Sequence, residues 1–398
     1  MAKNILLFQT ISQYEDKRNN DYIEPWVSLT VENNKVNLNK SEREKLLGTP
    51  LTFEITGNGN VSWAGYPYRT IEYKKNDGEW ASVTPTSTSP VQISVIAGDV
   101  LQFRGDNSAY GDGMGYGDAT CFYDFDYPTT AGFIVKGNIM SLVNSTNFAG
   151  LTSVSAEAFP NMFRNCTGLT DAADLFLPAT TLGSMCYYYM FAGCSSLTSV
   201  PELPATSLQF CMQCYIGMFN GCTSLTTAPE LPATTLSEAC YAGMFKNCTS
   251  LTSAPVLPAI TLKQECYGSS EGYGTYGSGA GGMFEGCTSL TTAPALPATT
   301  LASMCYGSMF KGCTSLTTAP ELAAETLRSF CYFSMFSGCT NLSSIKCLAT
   351  SFGTQSSTVT TSWVAGVSAS GTFTKAASMA DWSTGANGIP SGWNIINE

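Results

Sequence analysis

Cysteine carries the greatest chemical potential in this chain: sixteen occur in 398 residues. Thiols ligate zinc when they cluster, most often as Cys-x-x-Cys pairs. Only Cys211-Met212-Gln213-Cys214 has that spacing, and no second pair accompanies it. The remaining thiols fall mostly in two columns. Cys166, Cys194, Cys222, Cys248, Cys287, Cys313 and Cys339 form one, and Cys186, Cys214, Cys240, Cys305 and Cys331 precede members of it by eight residues. Cys266 stands 21 residues before Cys287, which is the same eight plus a 13-residue insertion. Such regularity reads as small apolar core positions, since free cysteine packs as a modest hydrophobe. Free thiols are the preferred reading and disulfides the alternative; neither a metal nor a cofactor is expected.

Carboxylates offer less. Asp106, Asp112, Asp118, Asp124 and Asp126 form the one acidic cluster, and Asp-rich loops can hold calcium. Their spacing fits no calcium-loop template, and Gly-Asp is ordinary turn chemistry, so a solvated loop is preferred. Glu202, Glu230 and Glu321 recur at one repeat position and form a surface column rather than an acid–base pair. The chain contains no histidine, which removes imidazole catalysis, serine and cysteine triads and His metal sites. Gly-x-Gly stretches such as Gly113–Gly117 lack the Lys-Ser/Thr of a phosphate loop. A net charge of −11 argues against nucleic acid as a partner.

The elements that hold these residues follow from composition. Charged residues are 12% of the whole, yet residues 1–50 hold seven acidic and seven basic ones. Within them lie Tyr22-Ile23-Glu24-Pro25-Trp26-Val27 and Val36-Asn37-Leu38, a short apolar patch that suits an anchoring arm through Tyr22, Pro25, Trp26, Val36 and Leu38, or a strand laid on its own domain. Residues 51–140 alternate with period two. Leu51, Phe53 and Ile55, then Ile71 and Tyr73, then Val91, Ile93 and Val95 face one way, and Val100, Gln102 and Phe103 continue the pattern. Asn/Asp-Gly turns separate these runs, which predicts an antiparallel β-sandwich with Trp63 and Trp80 as core plugs.

From about residue 150 the sequence repeats. Met-Phe-x-x-Cys-x-x-Leu occurs seven times, starting at Met162, Met190, Met218, Met244, Met283, Met309 and Met335. The core pairs are Phe163 with Cys166, Phe191 with Cys194, Phe219 with Cys222, Phe245 with Cys248, Phe284 with Cys287, Phe310 with Cys313 and Phe336 with Cys339. One such unit cannot bury its own apolar face, whereas stacked units share an interior. The 39-residue interval is a 26-residue unit carrying 13 more within Gly268–Gly282, where Tyr273 and Tyr276 sit among glycines. Tyr110 and Tyr116 have the same setting. Tyrosine on an adaptable loop suits contact with a sugar or protein; a functionless insertion is the alternative.

The units Met244–Pro255 and Met309–Pro320 resemble BspA-like leucine-rich repeats, in which Phe-x-x-Cys-x-x-Leu recurs along a solenoid. The match covers about 160–347. The stretch Val135–Leu142 and the tail Gly371–Lys375 with Gly388–Trp393 also look like modules of gut Bacteroidales and phage proteins. The resemblance implies surface display and adhesion rather than catalysis.

A mainly β chain with short helical turns is therefore expected. Residues 1–48 form an N-terminal arm, 49–142 an Ig-like β-sandwich, 143–347 a leucine-rich-repeat solenoid of seven coils, and 348–398 a C-terminal cap. The start is a poor secretory signal, and no apolar run approaches the ~20 residues of a membrane span. The functional expectation is a non-enzymatic phage virion surface protein, a capsid- or tail-attached fibre or decoration protein assembled in the host cytoplasm. Its partners would be other virion proteins through the arm and a host glycan or protein through the solenoid face, with homo-oligomerisation open. A bacterial cell-surface adhesin is the first alternative and a glycan-active enzyme the second.

Overall fold

Period-two burial needs a strand partner, and residues 51–138 supply one in antiparallel pairs. The computed structural model describes residues 45–63, 69–85, 90–107, 128–269, 279–353, 358–379 and 382–398. The arm residues Tyr22, Pro25, Trp26, Val36 and Leu38, and the loop residues Tyr110, Tyr116, Tyr273 and Tyr276, lie outside them. The described chain is mainly β, with helical residues at 45–47 and in a single 3-10 turn, η1 (Ile139–Leu142).

Seven strands open the fold: β1 (Leu51–Gly57), β2 (Gly59–Trp63), β3 (Ile71–Lys75), β4 (Ala81–Val83), β5 (Val91–Val95), β6 (Val100–Arg104) and β7 (Gly132–Asn138). Leu51, Phe53 and Ile55 of β1 are buried as expected from their alternation. The inward phase of β6 differs from the expectation: Leu101 and Phe103 are buried, not Val100 and Gln102. Register explains this. Leu51 lies opposite Phe103 and Phe53 opposite Leu101, and residues directly opposite share a face. Trp63 is fully buried, edge-on to Phe103 at 6.0 Å. Trp80 is not a core plug. It is half-buried beneath the Arg104 guanidinium, 4.0 Å from its ring centroid, with the Lys74 ammonium at 5.4 Å.

The larger sheet runs β4-β3-β6-β1-β7 and does not stop there. Two short strands of the first repeat, β8 (Leu169–Asp171) and β9 (Leu175–Phe176), both pair in parallel with β7. Strands β2 and β5 form a separate two-stranded sheet. Lys45–Glu398 make one compact unit, and a single buried cluster reaches from Leu51 to Trp393.

Beyond β9 each repeat lies in parallel register on the next. Bridges join Ser207 to Thr235, Thr227 to Ser253, Ser253 to Thr292 and Thr261 to Thr300. The Phe amide of each turn donates to the Met carbonyl of the following one, from Phe163 to Met190 at 2.8 Å through Phe310 to Met335 at 2.9 Å. Side chains stack in the same register. Phe rings 219, 245, 284, 310 and 336 follow one another at centroid spacings of 5.7 Å. A second ladder runs through Tyr187, Tyr215, Tyr241, Tyr267, Tyr306 and Tyr332 at 5.7–6.2 Å.

The two ladders converge on one residue. Trp363 stacks on Tyr332 at 5.9 Å and meets Phe336 at 6.2 Å. The tail has lost the repeat's letters but keeps its backbone ladder. Phe336 donates to Trp363 O at 2.8 Å and Gly338 to Ala365 O at 2.7 Å. Strands β10 (Ser344–Cys347), β11 (Thr372–Lys375) and β12 (Asn394–Asn397) pair in parallel. At the opposite end Phe163 meets Phe53 of β1 at 5.9 Å, so the Phe ladder starts on the N-terminal sheet.

Candidate functional site

The repeat motif has a clear local cause. In each turn the Cys amide donates to the Phe carbonyl three residues earlier, for example Cys194 to Phe191 at 3.1 Å. The residue before that Cys takes a left-handed conformation and is always Asn or Gly: Asn165, Gly193, Gly221, Asn247, Gly286, Gly312 and Gly338 have φ between 59° and 77°. Those types tolerate positive φ best. The pattern therefore reads Phe-x-(Asn/Gly)-Cys, a signal present in the sequence and missed by a search for core letters alone.

The cysteine of that motif is a donor as well as a core filler. Cys194 Sγ donates to Phe163 O of the preceding turn at 2.9 Å, Cys222 to Phe191 O at 3.2 Å, and Cys248, Cys287 and Cys313 to Phe219, Phe245 and Phe284 at 3.1 Å. Cys339 closes the series on Phe310 at 2.9 Å. Both lone pairs of each such Phe carbonyl are thereby used, one within its turn and one between turns. The fifteen described cysteines are buried and none of them is in a disulfide; Cys121 lies outside the described residues. Burial pushes the thiols of Cys186, Cys339 and Cys347 up to about 12 and that of Cys194 well above its ordinary value. Neutral thiols of this kind are poor nucleophiles and poor ligands. Burial also raises the phenols of the Tyr ladder, Tyr241 among them.

What faces outward is polar and periodic. Thr198 Oγ1 donates to Thr170 O at 3.0 Å, Thr223 to Ser195 O at 3.3 Å and Thr252 to Thr226 O at 3.4 Å, each one turn back. A second face comes from the x-Leu-Pro-Ala-x segments, where Leu203, Leu231, Leu257, Leu296 and Leu322 are buried. Their outward neighbours form two exposed columns: Glu202, Glu230, Val256, Ala295 and Glu321 in one, Thr206, Thr234, Ile260, Thr299 and Glu325 in the other. One turn places large apolar side chains in both columns, with Val256 77% and Ile260 63% exposed.

That turn also carries the insertion. Its return is pinned by Glu285, whose carboxylate accepts from the Gly282 amide at 3.2 Å and lies 3.5 Å from Lys246 and 3.1 Å from Lys311. Ala280 packs with Ile216, Ala239 and Ala242 in a small satellite cluster. The apolar break and the base of the insertion thus belong to one repeat, an association the sequence letters place together but do not explain.

Of the acidic cluster only Asp106 is described, and its carboxylate is occupied. It accepts from the Ser145 amide at 2.8 Å and from the Ser145 hydroxyl at 3.0 Å, which lowers its pKa. Among the described residues no group of three or more His, Cys, Asp or Glu is placed to hold a metal ion, and no helix is long and apolar enough to cross a membrane. Comparison with family models, with curated proteins and with solved structures finds no match.

Proposed function

We propose that the protein is a non-enzymatic display protein of a virion surface. Its repeats form a leucine-rich-repeat solenoid that presents one face to a host glycan or protein, with an Ig-like sandwich at one end and a C-terminal cap at the other. The observation that carries this reading is the pair of unbroken aromatic ladders. They make a stiff interior and leave the chemistry to outward columns, as expected of a scaffold whose role is presentation. The recognised feature is assigned to the turn with Val256, Ile260 and the insertion, because apolar side chains exposed within a polar array mark contact surfaces. The N-terminal arm is assigned to anchoring on other virion proteins. Buried, neutral thiols suit assembly in a reducing cytoplasm.

The test uses the neighbours' own letters. V256E/I260T restores the residues found one turn earlier at 230 and 234 and should leave the fold unchanged. Binding to host cells should fall at least about tenfold, a loss of ~1.4 kcal/mol. Removal of residues 270–278 should act in the same direction. Unchanged binding in both variants would refute the assigned face, and absence of the chain from purified virions by mass spectrometry would refute the location.

A further inference from the structure

Strand β12 leaves an edge that display does not use. It is the outermost strand of the β10-β11-β12 sheet. Its register on β11 sets Asn394 opposite Thr372 and Asn397 opposite Lys375. The Asn394 amide donates to Gly371 O at 2.8 Å and the Glu398 amide to Lys375 O at 2.9 Å. Backbone groups alternate sides along a strand, so the N–H and C=O of Ile395 and Asn397 point away from β11. No described strand pairs with that side. All of Asn394–Asn397 are exposed, Ile395 at 47% and Ile396 at 43%. Proteins blunt such edges by shortness, lysine, proline or a bulge. The edge strand β4 has three residues and Pro85 follows it closely. Strand β12 holds no lysine or proline, and its pairing with β11 runs without a register shift.

We propose that β12 is a self-recognition edge, which pairs antiparallel with β12 of a second copy about a two-fold axis at Ile396. The alternation limits the register, because only residues that turn their backbone groups the same way can lie opposite one another. Ile396 against Ile396 of the second copy is the register that uses both outward residues. It sets Ile395 opposite Asn397 of the second copy and Asn397 opposite its Ile395. Each such pair exchanges two backbone hydrogen bonds, about four in all. Charge points to a second copy as the occupant. A chain of net charge −11 resists meeting itself, yet residues 394–397 are uncharged, and the adjoining Glu398 is paired with Lys346 at 2.9 Å. In this register Glu398 lies opposite neutral Asn394, so no like charges oppose each other. Side chains directly opposite share a face, so the two Ile396 residues cover one another. The parallel ladder of turns thus ends on an antiparallel rung made from two copies. Two short strands form a small interface, so the dimer is reversible and concentration-dependent.

The experiment follows the mass of the folded full-length chain by sedimentation as its concentration rises. The expected result is a shift from one copy to two. I396K sets two ammonium groups opposite one another, and N397P removes an outward N–H without touching the bonds to β11. Each should weaken dimerisation at least about tenfold. The register is read by cross-linking under mild oxidant, relative to wild type. I396C should join two copies through a disulfide, whereas N394C, which faces Glu398 rather than its own counterpart, should not. A wild-type chain that stays a single copy at every concentration, dimerisation that either variant leaves unchanged, or equal cross-linking of I396C and N394C would overturn the proposal.

Discussion

Asn165 and Gly193 occupy the same position in successive turns, and the Asn165 side-chain oxygen fills the space where a Cβ on Gly193 would lie. Asn247 and Gly286 repeat the relationship. A turn with Asn at this corner is thus followed by a turn with Gly. The corner letters are coupled between turns, not merely permitted one by one.

This coupling predicts unequal costs for chemically identical substitutions. Gly221→Ala would meet Gly193 backbone atoms only at 3.6 Å and beyond, so its penalty is the left-handed conformation alone, about 1–2 kcal/mol. Gly193→Ala adds a clash with Asn165 and should cost more. Asn165→Gly should remove the excess in a double-mutant cycle followed by urea unfolding. Equal costs at 193 and 221 would deny the coupling.

The thiol ladder predicts that Cys222→Ala is destabilising beyond its lost volume, because Phe191 O then lacks its inter-turn donor. About 1–2 kcal/mol is expected. Thr223→Ala, which removes an exposed hydroxyl donor to Ser195 O at 3.3 Å, should cost less than about 0.5 kcal/mol. Denaturant midpoints of the two variants make the comparison.

Both ladders converge on Trp363, which Trp382 in turn covers at 5.4 Å, so its loss should be felt at one end. Trp363→Ala is expected to cost about 3–5 kcal/mol. Amide exchange should accelerate around Tyr332 and Phe336 while Phe163 and Phe191 keep their protection. Uniform loss of protection along the chain would contradict end-capping by this residue.

The N-terminal sheet has its own acid limb. Hydrogen bonds from Lys75, Asn76 and the Ile96 amide hold Asp99 down at about 2 against an ordinary 3.8. A depressed folded pKa contributes stability above the unfolded value, and that contribution is lost as pH falls from 3.8 toward about 2. Asp99→Asn should flatten the stability profile in that window, measured by thermal unfolding at several pH values. An unchanged profile would remove Asp99 as its source.

Legibility in the sequence followed locality. The Phe-x-x-Cys period was readable because every turn needs the same buried letters, and the β1 alternation because Leu51, Phe53 and Ile55 share one face. The inward phase of β6 was misread, since it is fixed by pairing with β1 some fifty residues earlier. Trp80 was misread because Arg104, which covers it, arrives from another strand. The joining of β7 to β8 and β9 had no local sign, as it depends on parallel backbone pairing across a connection. The tail kept the ladder without the letters because backbone hydrogen bonds do not require particular side chains.

The stacking of successive turns is tested most directly by oxidative cross-linking of exposed cysteine pairs placed in one column. Thr234 N donates to Thr206 O at 3.1 Å, so T206C/T234C occupies adjacent turns and should form a disulfide readily. T206C/T299C lies three turns apart, about 14 Å at strand spacing, and should form none. Equal cross-linking of the two pairs, or none in the adjacent pair, would contradict the stacked arrangement.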